Sequence, residues 1–146
     1  MKNLIIGKNS KIILKIKDSL VNFDFISNNE IIKTNLNQYK YIYLFSWDFN
    51  SNENNLKNIS LIPNEKIIFI STTAVLALQK REQWQNYPND KKIAEDLVIK
   101  RNGNILRLGV MNTINFKQYF GSIPVTTDTM LIKFLNLNNG HNNKII

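Results

Sequence analysis

Cysteine is absent from this 146-residue chain. Disulfide scaffolds, thiolate zinc sites, iron–sulfur clusters and cysteine nucleophiles are excluded together. Histidine occurs once, as His141 in an asparagine-rich tail. That argues against His-rich metal sites and a Ser-His-Asp triad, and no metal is expected. The apolar runs are far too short to span a bilayer. Before Gly7-Lys8-Asn9 the N-terminus offers only Lys2 and a brief apolar stretch, without the length or cleavage site of a secretory signal. A soluble cytoplasmic protein with no membrane partner is the expectation. Arginine is also scarce, with 3 residues against 16 lysines.

What is present is basic: the formal charge is +8. Such a balance invites a nucleic-acid reading. Yet arginine, the residue best suited to bidentate recognition of phosphates and bases, is the scarce one. The positive charge is spread over both halves without a dominant cluster. The 24 Asn and 22 Ile residues match what AT-rich codons impose. A solvated, lysine-rich surface accounts for the charge, and no specific nucleic-acid partner is expected. A basic nucleic-acid-binding module stays as the weakest alternative. The length is one domain's worth of material, enough to bury about two-thirds of the unfolded surface. A single domain over residues 1–146 is expected, with an abbreviated C-terminal segment at about 111–146.

Strand-like and helix-like segments alternate. Leu4-Ile5-Ile6 reads as a buried strand ending at Gly7. Ser10 can cap a helix in which Ile12, Ile13, Ile16 and Leu20 recur at helical spacing. Phe23, Phe25 and Ile26 suggest a second strand, and the aromatic run Tyr41 to Trp47 a third. The asparagine-rich stretch from Asp48 to Asn58 reads as a loop or short surface helix. Lys66 to Ser71 is continuous enough to be a central parallel strand. A helix is expected from about Tyr87 to Lys100, stopped by Asn102-Gly103, and a fifth strand from Asn104 to Val110. Ile123 and Val125 suggest a short sixth strand, Thr127 or Asp128 a helix cap, and the last residues a frayed end. The fold class is therefore α/β: a Rossmann-like parallel sheet of about 5–6 strands with helices on both faces. In such sheets ligands sit beyond the carboxyl ends of the strands.

The loops at those ends carry the candidate chemistry. After the first strand, the G-x-x-G-x-x-G spacing of a dinucleotide loop reads Gly7, Ser10, Ile13. The first glycine permits the tight turn, and Ser10 is small enough to donate to a phosphate. Ile13 is bulky and argues against the closest helix–strand packing. After the second strand, where an acid often binds the adenosine ribose, stand Ser27, Asn28 and Asn29. These tolerate a 2′-phosphate, but no arginine is near to clamp one, so NAD and NADP both stay open. After the fourth strand comes Ser71-Thr72-Thr73-Ala74-Val75, and then Tyr87-Pro88-Asn89-Asp90-Lys91. Tyr and Lys four apart share a helix face, and an ammonium beside a phenol lowers the phenol pKa toward the range useful for proton transfer. With 5 Tyr and 16 Lys in the chain, that pair alone is close to chance.

Order gives the pair its weight. From Ile67 to Gly109 the chain reads strand, S-T-T-A-V, spacer, Y-P-N-D-K, a helix with Ala94-Glu95-Asp96-Leu97-Val98, and the strand I-L-R-L-G. This stretch, with the N-terminal I-I-G-K-N-S, resembles the extended short-chain dehydrogenase/reductase family of NAD-dependent epimerases, dehydratases and reductases acting on nucleotide sugars. The resemblance covers about the first 110 residues. It implies Tyr87 as general acid/base and Lys91 as the residue holding the nicotinamide ribose. It implies Thr72 as the hydrogen-bond donor to the reacting oxygen. Gly7, Asn9, Ser10 and Lys11 would line the pyrophosphate of NAD or NADP, Ser27 and Asn28 would lie at the adenosine ribose, and Ser46 along the cofactor. The implied ligands are a dinucleotide and a nucleotide sugar. Only about 36 residues follow Val110, too few for a full sugar-nucleotide pocket. A homo-oligomer or partner subunit would then supply the substrate grip. The alternative is a non-catalytic Rossmann-fold subunit or regulatory partner of that family. Trp47 and Trp84 read as partial core or interface, Phe116, Tyr119 and Phe120 as packing or a dimer patch, and Glu95-Asp96 as a solvated helix face.

Overall fold

Short apolar runs bounded by polar turns become parallel strands here, because each is covered on both faces. The computed structural model describes residues 1–72, 87–111, 125–137 and 144–145. Its elements in chain order are β1 (Asn3–Ile6), α1 (Lys11–Ile16), β2 (Phe23–Ile26), β3 (Ile42–Leu44), α2 (Asn52–Ser60), β4 (Ile67–Thr72), α3 (Tyr87–Lys100), β5 (Asn104–Leu108), β6 (Val110–Met111), β7 (Val125–Thr126), α4 (Asp128–Leu137) and β8 (Lys144–Ile145). Six strands form one parallel sheet in the order β2-β1-β3-β4-β5-β8. In register, Ile6 lies between Ile26 and Leu44.

Strand alternation divides the core in two. Leu4, Ile6, Ile42, Leu44, Ile67, Phe69 and Ile105 face one side, where Ile59 of α2 and Ala94 and Val98 of α3 pack on them. Ile5, Tyr43, Ile68, Ile70, Leu106 and Leu108 face the other, under Ile13 and Ile16 of α1 and Leu131 and Leu135 of α4. This is the doubly wound α/β sheet that the alternation of segments predicts.

The local signals act as expected at two helix ends. Ser10 caps α1, its Oγ accepting from Ile13 N at 3.3 Å. At the end of α3, Asn102 takes φ 62° and Gly103 N donates to Val98 O at 2.8 Å. A Cβ on Gly103 would fall 2.6 Å from Ile67 Cγ2, so glycine lets the helix end lie against β4.

Elsewhere the elements differ from the sequence reading. The aromatic run is a strand only over Ile42–Leu44, and Phe45 to Trp47 leave the sheet toward its carboxyl edge. Of the two forms expected for the Asn-rich stretch, the short helix is the one found, as α2, because Ser51 caps it and buried Asn55 faces inward. Val125 belongs not to the main sheet but to a separate parallel pair with β6. The sixth strand of the main sheet is instead β8, in the tail expected to fray. Its pairing partner, β5, lies far away in sequence, and no local pattern announces it. Between β2 and β3, two 3₁₀ turns at Asn28–Lys33 and Leu36–Gln38 were not anticipated. Ile123, Trp84, Phe116, Tyr119, Phe120 and His141 lie outside the described residues. No helix among the described residues is long and apolar enough to cross a membrane.

Candidate functional site

The sheet order reverses around β1: the chain steps out to β2, then returns past β1 to β3. That reversal opens a crevice at the carboxyl ends of β1 and β3. Gly7 sits at its base with φ +122°, and a Cβ there would lie 2.8 Å from Ser46 N and 3.1 Å from Phe45 Cβ. The first glycine of the expected loop is thus required twice, by conformation and by close approach. Gly7 N and Lys8 N both donate to Ile26 O, and Phe45 N and Ser46 N to Ile6 O, which ties the ends of the three strands together. Ser10 Oγ accepts the helix-cap bond from Ile13 N. Ile13, where a third glycine was sought, is fully buried between α1 and the sheet. Asn9 is exposed on the loop and Lys11 is exposed at the start of α1.

Beyond β2, the sequence reading missed an acid. Glu30 folds back from the 3₁₀ turn so that Ser27 N and Ser27 Oγ donate to its Oε1, at 3.1 and 2.8 Å. Lys8 Nζ approaches the same oxygen at 2.7 Å. Lys8, then Ser27, hold the carboxyl down at about 2. The position that reads as neutral Ser27-Asn28-Asn29 therefore carries a carboxylate, paired with a lysine of the glycine loop. The signal was legible: Ser27-x-x-Glu30 has the spacing of a capping box.

Tyr87 and Lys91 do share a face of α3, and that face is buried. Lys91 is only 5% exposed. Its Nζ donates to Ile70 O at 2.9 Å and lies 4.0 Å from the ring centre of Trp47, 4.9 Å from Phe69 and 5.8 Å from Tyr87. Burial pushes the ammonium down to about 7, against the pull of Glu95. The Tyr87 ring is stacked on Phe49 at 5.4 Å and meets the Trp47 edge at 6.2 Å. Burial drives its phenol up to about 12. This is opposite to the lowering that a neighbouring ammonium gives, because desolvation of the phenolate outweighs a lysine itself near half-charged at neutral pH. Trp47 packs on Phe69 at 6.0 Å, as partial core. The loop bearing Phe49 is held by Asn55, which accepts from Asp48 N at 2.7 Å and donates to Asp48 O at 2.8 Å.

Glu95 overturns its reading as a solvated residue: it is fully buried. Arg107 of β5 grips it with Nε to Oε2 at 2.9 Å and Nη2 to Oε1 at 2.7 Å. Asp96 is exposed as expected and pairs with Lys92 at 3.0 Å. On β4, alternation puts Thr72 with Ile68 and Ile70 on the α1/α4 face, and Ser71 with Phe69 on the α3 face. Thr72 and the Tyr87–Lys91 pair thus approach the crevice from opposite sides of the sheet. No group of three or more potential metal-binding side chains occurs among the described residues.

Comparison of the whole fold now adds to this geometry. A protein assigned as an NAD-dependent epimerase/dehydratase from Bacillus halodurans superposes with a TM-score of 0.67 at 14% identity, over 99% of this chain and 92% of its own. The Bordetella bronchiseptica enzyme WbmH, solved with NAD+, gives 0.64 at 11% identity over 98% and 74%. dTDP-4-dehydrorhamnose reductase from Yersinia enterocolitica gives 0.58 at 15% identity over 98% and 72%. The fold is the Rossmann-like one shared with these solved structures. No protein-family model and no curated protein matches the sequence. At these identities the likeness is one of architecture.

Proposed function

We propose that this chain binds a nicotinamide dinucleotide across the crevice and, where active, serves as a reductase or epimerase on a nucleotide-linked sugar. The observation that carries the reading is the Gly7 turn, packed without room for a side chain against Ser46 at the point where the strand order reverses. Titration with NADH and NADPH, followed by nicotinamide fluorescence, tests it. Binding at micromolar to submillimolar cofactor is expected, and absence of binding to either at millimolar concentration overturns it.

The cofactor is NAD rather than NADP. Glu30 stands just past β2, where the adenosine ribose would lie, and all three of its contacts act on Oε1. Its other oxygen is left to accept from a ribose hydroxyl, and its charge repels a 2′-phosphate. Glu30→Gln removes that repulsion and releases Lys8, so the affinity ratio shifts toward NADPH by roughly five- to tenfold. An unchanged ratio in paired titrations would remove Glu30 from the ribose site.

A second reading has its own support. Tyr87 lies under Phe49 with its phenol raised to about 12, and Lys91 spends a donor on Ile70 O. A dinucleotide-binding subunit without proton transfer fits that arrangement. Tyr87→Phe separates the two readings. For an active enzyme, turnover falls by at least 100-fold while NADH affinity stays within about threefold. Unchanged biological activity of the variant favours the subunit.

A further inference from the structure

Ser71 is the odd hydroxyl of the described structure. It is 4% exposed, and its Oγ has no hydrogen-bond partner. Ser10, Ser51 and Ser60 are all more exposed, yet each hydroxyl is partnered: by Ile13 N, Asn54 N and Leu56 O. A buried hydroxyl left unpaired carries the full cost of its desolvation, so native folds rarely keep one without a use.

The hydrogen bonds of its neighbours go elsewhere. Ser71 stands beside Arg107 in register, and Arg107 directs Nε and Nη2 to Glu95. Ile70 O, one residue back, is taken by Lys91. The β3 pairing with β4 stops at Phe69, whereas β5 pairs on to Thr72. The last residues of β4 therefore border the crevice on their β3 side. Sheet order gives the distance from the glycine loop. Gly7 follows β1 and Ser71 lies on β4, two strands away, or about 10 Å at the usual strand spacing. That is the reach of a nicotinamide riboside from a pyrophosphate held at Gly7.

We propose that Ser71 is a ligand-contacting residue whose hydroxyl donates to an oxygen of the nicotinamide half of the dinucleotide, on the same face of the sheet as Lys91. The inference rests on the dinucleotide reading above, and it puts the useful hydroxyl of the S-T-T segment one residue before Thr72. The bound oxygen supplies the partner that the fold withholds.

The test is Ser71→Ala, with calorimetric titration of NADH and of ADP, and a thermal melt without ligand. The expected result has three parts. The unliganded melting temperature stays equal or rises, since an unpaired polar group has been removed. NADH affinity falls roughly tenfold, the value of one buried hydrogen bond. ADP, which ends short of β4, binds as before. A melting temperature lowered by several degrees would show that the hydroxyl is partnered within the fold and would overturn the proposal. So would equal NADH affinity in variant and wild type, while leaving the dinucleotide reading intact. Failure of the wild type to bind either ligand would overturn both.

Discussion

Glu95→Ala lowers the folding stability by about 3–5 kcal/mol, the largest loss expected from a single substitution here. Glu95 is wholly enclosed and holds Arg107 through two hydrogen bonds at 2.9 and 2.7 Å. Arg107 cannot shed its proton, and the carboxylate beside it raises its pKa further. Without the carboxylate, the guanidinium is left facing α3 with no counter-charge. Lys91 loses the charge of Glu95, which supports its own ammonium. Arg107, partly exposed, and the buried Lys91 then share a face of β4 and β5 without the charge of Glu95. Urea denaturation gives the measurement. A loss below about 1 kcal/mol would mean that the pair behaves like an exposed surface bridge.

Lys91→Met does the reverse and stabilises the fold at pH 7 by about 1–4 kcal/mol, as replacements of buried charge by apolar side chains commonly do. The sign follows from the titration. Folding moves the Lys91 pKa from its ordinary 10.5 down to about 7. Between those values the unfolded chain keeps the proton that the folded chain has lost, so stability rises with pH across this window. Below about 7 both states are protonated and the folded protein bears the whole cost of a buried ammonium. Methionine has no such cost. The two proteins therefore differ most at and below neutral pH and converge toward pH 10. The lost hydrogen bond to Ile70 O and the contact with the Trp47 ring reduce the gain without reversing it. Denaturation midpoints at several pH values decide the matter. A methionine variant less stable at pH 7, with the wild-type pH slope, would contradict the burial of a costly charge. Function is linked to the same titration: Lys91 is close to half-charged at neutral pH, so any ligand that needs its ammonium binds more weakly as pH rises above about 7.

The separation between what the residues announce and what they conceal has a physical basis. Patterns confined to one segment were legible. Leu4-Ile5-Ile6 before Gly7, and the run Lys66 to Ser71, read as buried strands because each is short, apolar and closed by a turn. The helix expected to run to Lys100 ends there, because Asn102-Gly103 stops it by left-handed backbone. Glu30 was hidden by counting only the residues next to the strand, although the Ser27-x-x-Glu30 spacing was there to be used. The β8 strand was hidden because two residues carry no periodicity, and only a distant edge makes them a strand.

The sequence by itself determined the alternation of strands and helices, the glycine at the first turn and the order of motifs that resembles a dehydrogenase. These depend on neighbours within a few residues, where hydrophobic period, capping and φ preference act directly. Only the tertiary structure decided the electrostatics of the site. Spacing puts Tyr87 and Lys91 on one face, but what encloses that face comes from Trp47, Phe49 and Phe69, far away in the chain. Burial, not proximity, then sets the protonation of both. Likewise Glu95 has the look of a surface acid until β5 brings Arg107 across to it. Charge and desolvation act through space, so their outcome was settled only when the strands had been laid side by side.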